Sequence, residues 1–405
     1  MSMITGKIQY FFLSKRNILF ISAILLILRL VVSFVVVEDY NTVEDFQIAQ
    51  NLVNGGGYTL LESTGPTAIK TPVYPLFLTL FIFLFGSSAK IAIVCVQHIL
   101  FSLVPLLLIK LGTVVGKEKY GYAAGWLFLI HPSYFYYPNV IEVSNIFIPL
   151  FIIFLIFAVK SVKLFNKKDV LISSALSGVL ILTQPIIIPV IAAYFLYLAI
   201  KRRYKHATIM VSIIIVILSP WIIRNYIEFD RLIPSKSPFW MNFYCGWLPY
   251  YHNLERYDIV EKEDKVYIDS LTNAGVNDLK MEEYYKNSFV KYIKKYPGIY
   301  FEKTIYQMAA YWYVPPRYFN DNRLSFIFVR KVPVVLLNIL FIIGIIKLIT
   351  IDRKEALIII AILTYFTLVY GLTQTANIRF KLDIEWIEFY AIAALFFSKS
   401  KLENV

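Results

Sequence analysis

"VYPLFLTLFIFLFG", residues 73–86, decides how this chain is threaded through a membrane. The run is apolar throughout, but its 14 residues fall short of the roughly 18 to 20 that a helix needs to cross a bilayer core. If it crosses, every later loop changes side. The basic residues arbitrate, because cytoplasmic loops are enriched in Lys and Arg. With 73–86 left out of the count, one side collects Lys7, Lys15, Arg16, Lys110, Lys117 and Lys119. The same side collects Lys160, Lys163, Lys167, Lys168, Lys201, Arg202, Arg203, Lys205, Lys347, Arg353, Lys354, Lys399 and Lys401. The short loops opposite carry Lys70 and Lys90 early, and Arg379 and Lys381 late. Residues 73–86 are therefore read as an amphipathic or half-buried helix at the outer interface, with both termini cytoplasmic.

Working outward from that run, apolar stretches predict membrane helices near 18–37, 91–111, 121–137, 143–160, 170–184, 186–200, 207–223, 332–350, 355–372 and 387–398. The first is too long for the core of a signal peptide and has no small-residue cleavage site after it. The expected fold is an all-α polytopic membrane protein of about ten transmembrane helices. Three parts follow: residues 1–224, a transmembrane module with an outer loop at 38–90; residues 225–330, a small α-rich extracytoplasmic segment; and residues 331–405, the last membrane helices. Within the middle segment, 279–296 has helical apolar spacing and many charges.

Composition agrees with this reading. Of the 405 residues, 58% are hydrophobic, and 30 Tyr and 32 Phe supply rings of the kind that line membrane interfaces. The net charge of +13 comes from short clusters between apolar runs, so it points to cytoplasmic loops and not to nucleic acid. Cys95 and Cys245 make neither a disulfide framework nor a zinc spacing, and His98, His131, His206 and His252 are scattered.

The helix centres are almost free of charge, Arg29 being the main exception. Ion relays and broken helices at mid-membrane, expected of a transporter, are not evident. Polar groups gather at the outer face instead. Directly after the first span, Glu38, Asp39, Glu44 and Asp45 fall within eight residues. Two readings stand: a site that uses a carboxylate, or solvated caps on an interfacial helix starting near Thr42. The Gly55-Gly56-Gly57 run reads as a turn ending that helix.

Several motifs in order resemble a known family. "EDFQIAQNLVNGGGY" and "KTPVYPLFLTL" look like the start of the polyprenyl-phosphate-sugar-dependent glycosyltransferases of the GT-C fold, among them protein O-mannosyltransferases and aminoarabinose transferases. "LTQPIIIP" is similar to their L-T-R-P step, "SPWIIRNY" to P-W-x-x-R-N-Y, and "IRFKLDIEW" to R-Y-R-x-P-x-x-P. The resemblance is weakest over about 230–330, and Gln184 stands where the family usually has Arg.

The resemblance implies transfer of a sugar from a polyprenyl-phosphate donor to an acceptor hydroxyl, at the outer face of the cytoplasmic membrane. A carboxylate of the first outer loop acts as general base in one inverting displacement. The family's acid aligns nearest Asn41; a small gap makes it Asp39, which ends closest to the span and ranks first, ahead of Asp45 and then Glu44. Lys70 and Tyr74 in "KTPVYP", Arg224, Arg379 and Lys381 are candidates for the donor, cations meeting its phosphate. Lys70 reads equally as a snorkelling residue, and Arg224 as a clamp on helix-end carbonyls. Glu142 lies where the family's second outer loop often carries an acid, or it begins a helix. No cofactor is expected. A divalent metal is compatible with the acids, but no ligand spacing supports one. The partners are the lipid-linked donor, membrane lipids and a glycan, lipid or protein acceptor. The alternatives are a polysaccharide polymerase or ligase and a lipid-linked glycan flippase.

Overall fold

The computed structural model describes residues 10–164, 166–247, 259–315, 318–373 and 377–397. Lys7, His252, Lys399 and Lys401 lie outside the described residues. Among those described, regular structure is helical, apart from two isolated bridges pairing Thr42 with Ile141 and Thr59 with Pro66.

The longer helices are α1 (Lys15–Val36), α2 (Glu44–Val53), α3 (Val73–Phe85), α4 (Ala89–Val115), α5 (Glu118–Ile130), α6 (Ser144–Leu164), α7 (Lys167–Ile181) and α8 (Ile188–Ile200). They continue as α9 (Tyr204–Phe229), α10 (Lys262–Asn273), α11 (Asp278–Lys295), α12 (Pro297–Tyr311), α13 (Val332–Ile351), α14 (Arg353–Thr373) and α15 (Ile378–Ala393). Six apolar stretches are long enough to cross a membrane: Lys15–Val36, Val73–Val115, Ser144–Leu164, Tyr204–Phe229, Leu324–Ile351 and Arg353–Thr373. The remaining expected spans are the shorter helices α5, α7, α8 and α15. The outward faces of the bundle's helices carry Ile27, Val35, Phe83, Ile200 and Ile346, each more than half exposed. Lipid tails accept such a surface; water does not. The chain is an all-α polytopic membrane protein.

The run at 73–86 resolves as a hairpin arm. Gly86, at φ +53°, turns α3 back along the first turns of α4. The Tyr74 hydroxyl donates to Gln97 Oε1 at 2.9 Å, which puts the start of α3 level with the third turn of α4. At 13 residues the arm is shorter than a bilayer core requires of a helix. Farther along, α4 and α5 cross without side chains between them. A Cβ on Gly121 would lie 2.6 Å from the Leu108 carbonyl oxygen, the close approach that small residues allow between membrane helices.

Two expectations are corrected. The last helix is Ile378–Ala393, not 387–398, and every residue from Phe380 to Ala393 is buried. Arg379 and Lys381 are thus helical, not loop residues. The bundle interior is also not charge-free. Besides Arg29, buried at 1% exposure, α15 carries Lys381, Asp383, Glu385 and Glu388 into the core, where Arg330 and His131 join them. Lys381 pairs with Glu388, and Arg330 Nη1 stands 3.5 Å from Glu385. A charge run reads as a loop in sequence, but pairing lets it enter a core.

Candidate active site

Backbone bonds gather the loops at one end of the bundle. The Ile141 amide donates to the Asn41 carbonyl at 2.9 Å, joining the first loop to the second. Thr71 Oγ1 donates to Thr183 O at 2.9 Å and the Val73 amide to Leu182 O at 3.2 Å, joining it to the turn after α7. The Ser237 amide donates to Ala68 O at 2.9 Å, bringing in the strap after α9. Arg224 holds these segments together. Its guanidinium donates to the carbonyls of Thr67 at 2.8 Å and Tyr58 at 3.2 Å, and packs against the rings of Tyr58, Trp221 and Phe229. Those bonds make it a clamp on the first loop.

The structure separates the first-loop acids. Asp39 lies on the bend after α1, 79% exposed, with Lys90 Nζ at 2.9 Å. That contact holds its carboxyl below the usual carboxylate range. Glu44 and Asp45 form the first turn of α2, a favourable end for negative charge. Val43 gives that helix no side-chain cap. Asp45 shares the buried face with Ile48 and Ala49, whereas Glu44, Gln47 and Gln50 face outward. The outward face lines an open groove of about 470 Å³ with Thr42, Phe46 and Leu60. Glu44 therefore stands between groove and interior.

Cations surround the two acids of α2. Lys70 Nζ lies 3.2 Å from Glu44 Oε2 and 3.4 Å from Asp45 Oδ2. Burial pushes the Glu44 carboxyl up, but Lys70, the helix backbone and Arg379 outweigh it and hold it below its usual range. Lys236 faces the same pair. It is accessible to solvent yet hemmed in by protein, and that partial desolvation, with Lys70 beside it, lowers its ammonium to about 8. The charged cluster that these side chains form between the gathered loops is termed the recess. Tyr58 stays protonated, its phenol pushed well up by burial and then by Asp45.

Arg379, in the first turn of α15, pairs with Glu142, whose carboxylate also accepts from the Tyr137 hydroxyl. One turn on, Asp383 faces Ser144 and Gln184. Lys381, two residues from Arg379, projects from the other side of the helix. There it sits on the Trp312 ring at 3.5 Å and meets Glu388. The late basic pair is thus divided between recess and core. Tyr74 is 1% exposed and its hydroxyl donates to Gln97.

The recess thus unites Glu44, Asp45, Lys70, Glu142 and Arg379, and leaves Asp39, Arg224 and Lys381 outside. Sequence reasoning overlooked Lys236, Tyr137 and Asp383. Asp383 lies inside the quoted "IRFKLDIEW", so that motif carried a signal; Lys236, in "IPSKSP", had none. Among the described residues, no group of three or more His, Cys, Asp or Glu side chains is placed to hold a metal.

Residues 69–223, a stretch shorter than half the chain, match the family model of dolichyl-phosphate-mannose-protein mannosyltransferases. The matched stretch contains Lys70, Tyr74, Tyr137, Glu142 and Gln184 and ends one residue before Arg224. No curated protein matches the chain. The family match bears out the resemblance read from the motifs and supports a multi-pass membrane glycosyltransferase of the GT-C type.

Proposed function

We propose that the chain transfers a sugar from a polyprenyl-phosphate donor to an acceptor hydroxyl, with the recess opening at the outer face of the cytoplasmic membrane. The observation that carries this reading is the convergence of two acids with Lys70, Lys236 and Arg379 in one recess. An acid alone would suit many reactions. An acid beside several cations suits one in which a proton is taken as an anion leaves.

Asp45 is the general base. The acceptor oxygen attacks the anomeric carbon, its proton passes to Asp45, and the bond from that carbon to the phosphate oxygen breaks with inversion. The electron pair leaves on polyprenyl phosphate, which Lys236, Lys70 and Arg379 receive. Lys70 has a double part. Without donor it is engaged by Glu44 and Asp45; a phosphate draws it away and frees Asp45 to accept a proton. Glu142 holds Arg379 in place.

The test is release of polyprenyl phosphate by protein in lipid nanodiscs, with a panel of polyprenyl-phosphate hexoses and pentoses. Slow transfer to water makes the assay independent of the acceptor. No release from any donor, with or without envelope glycans, would count against the transferase. The paired charges in the bundle core favour the flippase reading to a degree. Donor crossing sealed vesicles without cleavage would support it.

A further inference from the structure

The helices α10 and α11 enclose a second cavity, of about 200 Å³, away from the recess. We propose that it binds a neutral saccharide, the distal part of a glycan acceptor. That it is an acceptor rests on the transferase reading; that it is a saccharide rests on the lining alone.

Tyr267 and Tyr284 stand at its mouth, 51% and 36% exposed, with ring centroids 5.6 Å apart and planes at 77°. Exposed rings of this kind offer an apolar face with a polar tip. Deeper in, Ser288 is only 8% exposed, yet its hydroxyl has no hydrogen-bond partner. A buried hydroxyl left unpaired is costly, so a ligand group that reached it would gain by binding. Asn287 adds an exposed amide to the same wall.

The charges in the cavity are already balanced. Lys291 Nζ lies 2.8 Å from both Asp264 and Glu261, Lys295 Nζ lies 3.0 Å from Glu261, and Asp264 also accepts from the Tyr292 hydroxyl at 2.6 Å. The lining's cation, Lys291, is thus engaged and not free for a phosphate, and the hydrogen-bonding wall suits an apolar peptide poorly. A sugar ring, with a C–H face for tyrosine and hydroxyl edges for Ser288, Asn287 and Asp264, fits both halves.

Position links the cavity to the recess. Asn277, between the two helices, donates to Pro66 O at 3.2 Å. Glu282 of α11 accepts from the amides of Phe239 and Trp240 at 3.0 Å, just past Lys236. From Glu282 to Ser288 the helix rises about 9 Å, so the cavity lies about two turns along α11 from the strap that carries Lys236.

The experiment is calorimetric titration of the whole protein in nanodiscs with mannotriose and chitotriose. Saturable binding of at least one is expected. Tyr284→Ala should weaken it about ten-fold, Tyr284→Phe should restore most of it, and Ser288→Ala should weaken it less. Donor cleavage by water should be unchanged in all three variants. Binding of neither sugar, or equal binding in Tyr284→Ala with an unchanged melting temperature, overturns the site. If sugars bind as expected but no donor is cleaved by wild type, the transferase reading fails and the saccharide site stands.

Discussion

Replacing Asp45 with asparagine removes a proton acceptor from the recess and leaves its volume nearly unchanged. General bases contribute about 10²–10⁴-fold, which at 1.36 kcal/mol per decade is about 2.7–5.4 kcal/mol of barrier. The fold should tolerate the change. Lys70 keeps Glu44 at 3.2 Å, and the amide oxygen can still accept, so the stability cost is about 1–3 kcal/mol. Donor affinity should hold or improve, because a negative charge beside the phosphate disappears. The assay is single-turnover release of polyprenyl phosphate in nanodiscs, with donor affinity measured in parallel. Asp39→Asn is the control: Asp39 is 79% exposed and paired at the surface, so its rate should stay within about two-fold. Wild-type turnover in Asp45→Asn refutes the assignment. Loss of turnover in Asp39→Asn instead would move the base outside the recess and undo the site.

Donor affinity should fall as pH rises through about 8, since Lys236 is charged below that value and neutral above it. A bound phosphate stabilises the ammonium, so the limb in kcat should lie higher than the limb in kcat/KM, and Lys236→Arg should flatten both; an unchanged profile in that variant excludes Lys236. In the core, Lys381→Met strands Glu388, which is 0% exposed, and should cost about 3–5 kcal/mol. Adding Glu388→Leu should recover most of that in detergent unfolding, and a double variant no better than the single would deny the pair. Gly121→Val should lower folded yield and cost about 1–3 kcal/mol by overpacking, because its Cβ would meet the Leu108 carbonyl at 2.6 Å; a normal melting temperature would contradict the close crossing.

Much of this fold was legible because a membrane demands long apolar runs, and α1, α4, α6, α9, α13 and α14 supply them. The shorter α5, α7 and α8 were placed by the same hydropathy. What misled was charge. Glu385 and Glu388 marked 378–388 as polar, although their partners Arg330 and Lys381 lie 55 and seven residues away. The pairing of Glu385 with Arg330 across 55 residues leaves no local trace. For the proposed site, the motifs pointed to loops that the structure gathers at one end of the bundle, but not to single acids. Asp39 and Asp45 are alike in composition; they differ because Asp45 shares the inward face of α2 with Ile48 and Ala49. That phase was visible in "EDFQIAQ" as apolar residues three and four positions on. Proximity to the end of the span favours Asp39, but a bend intervenes there and Asp39 pairs with Lys90.

The charge count of the recess explains why acids and cations share it. Asp45 and Glu44 face Lys70 and Lys236, and Glu142 faces Arg379, so these six groups sum to zero when ionised. A donor phosphodiester brings a single negative charge. In the proposed transfer, the leaving phosphomonoester gains up to one more, its second pKa being near 6, while Asp45 would lose its own by taking the acceptor's proton. The total does not change; charge only moves from Asp45 toward the phosphate. Had the base stood on the surface, as Asp39 does, the proton would leave the recess and a full negative charge would build up within it. In a partly desolvated site that imbalance is costly. Acids at a membrane exit repel one another in isolation, but beside Lys70 one of them becomes the place from which the leaving group's charge is drawn.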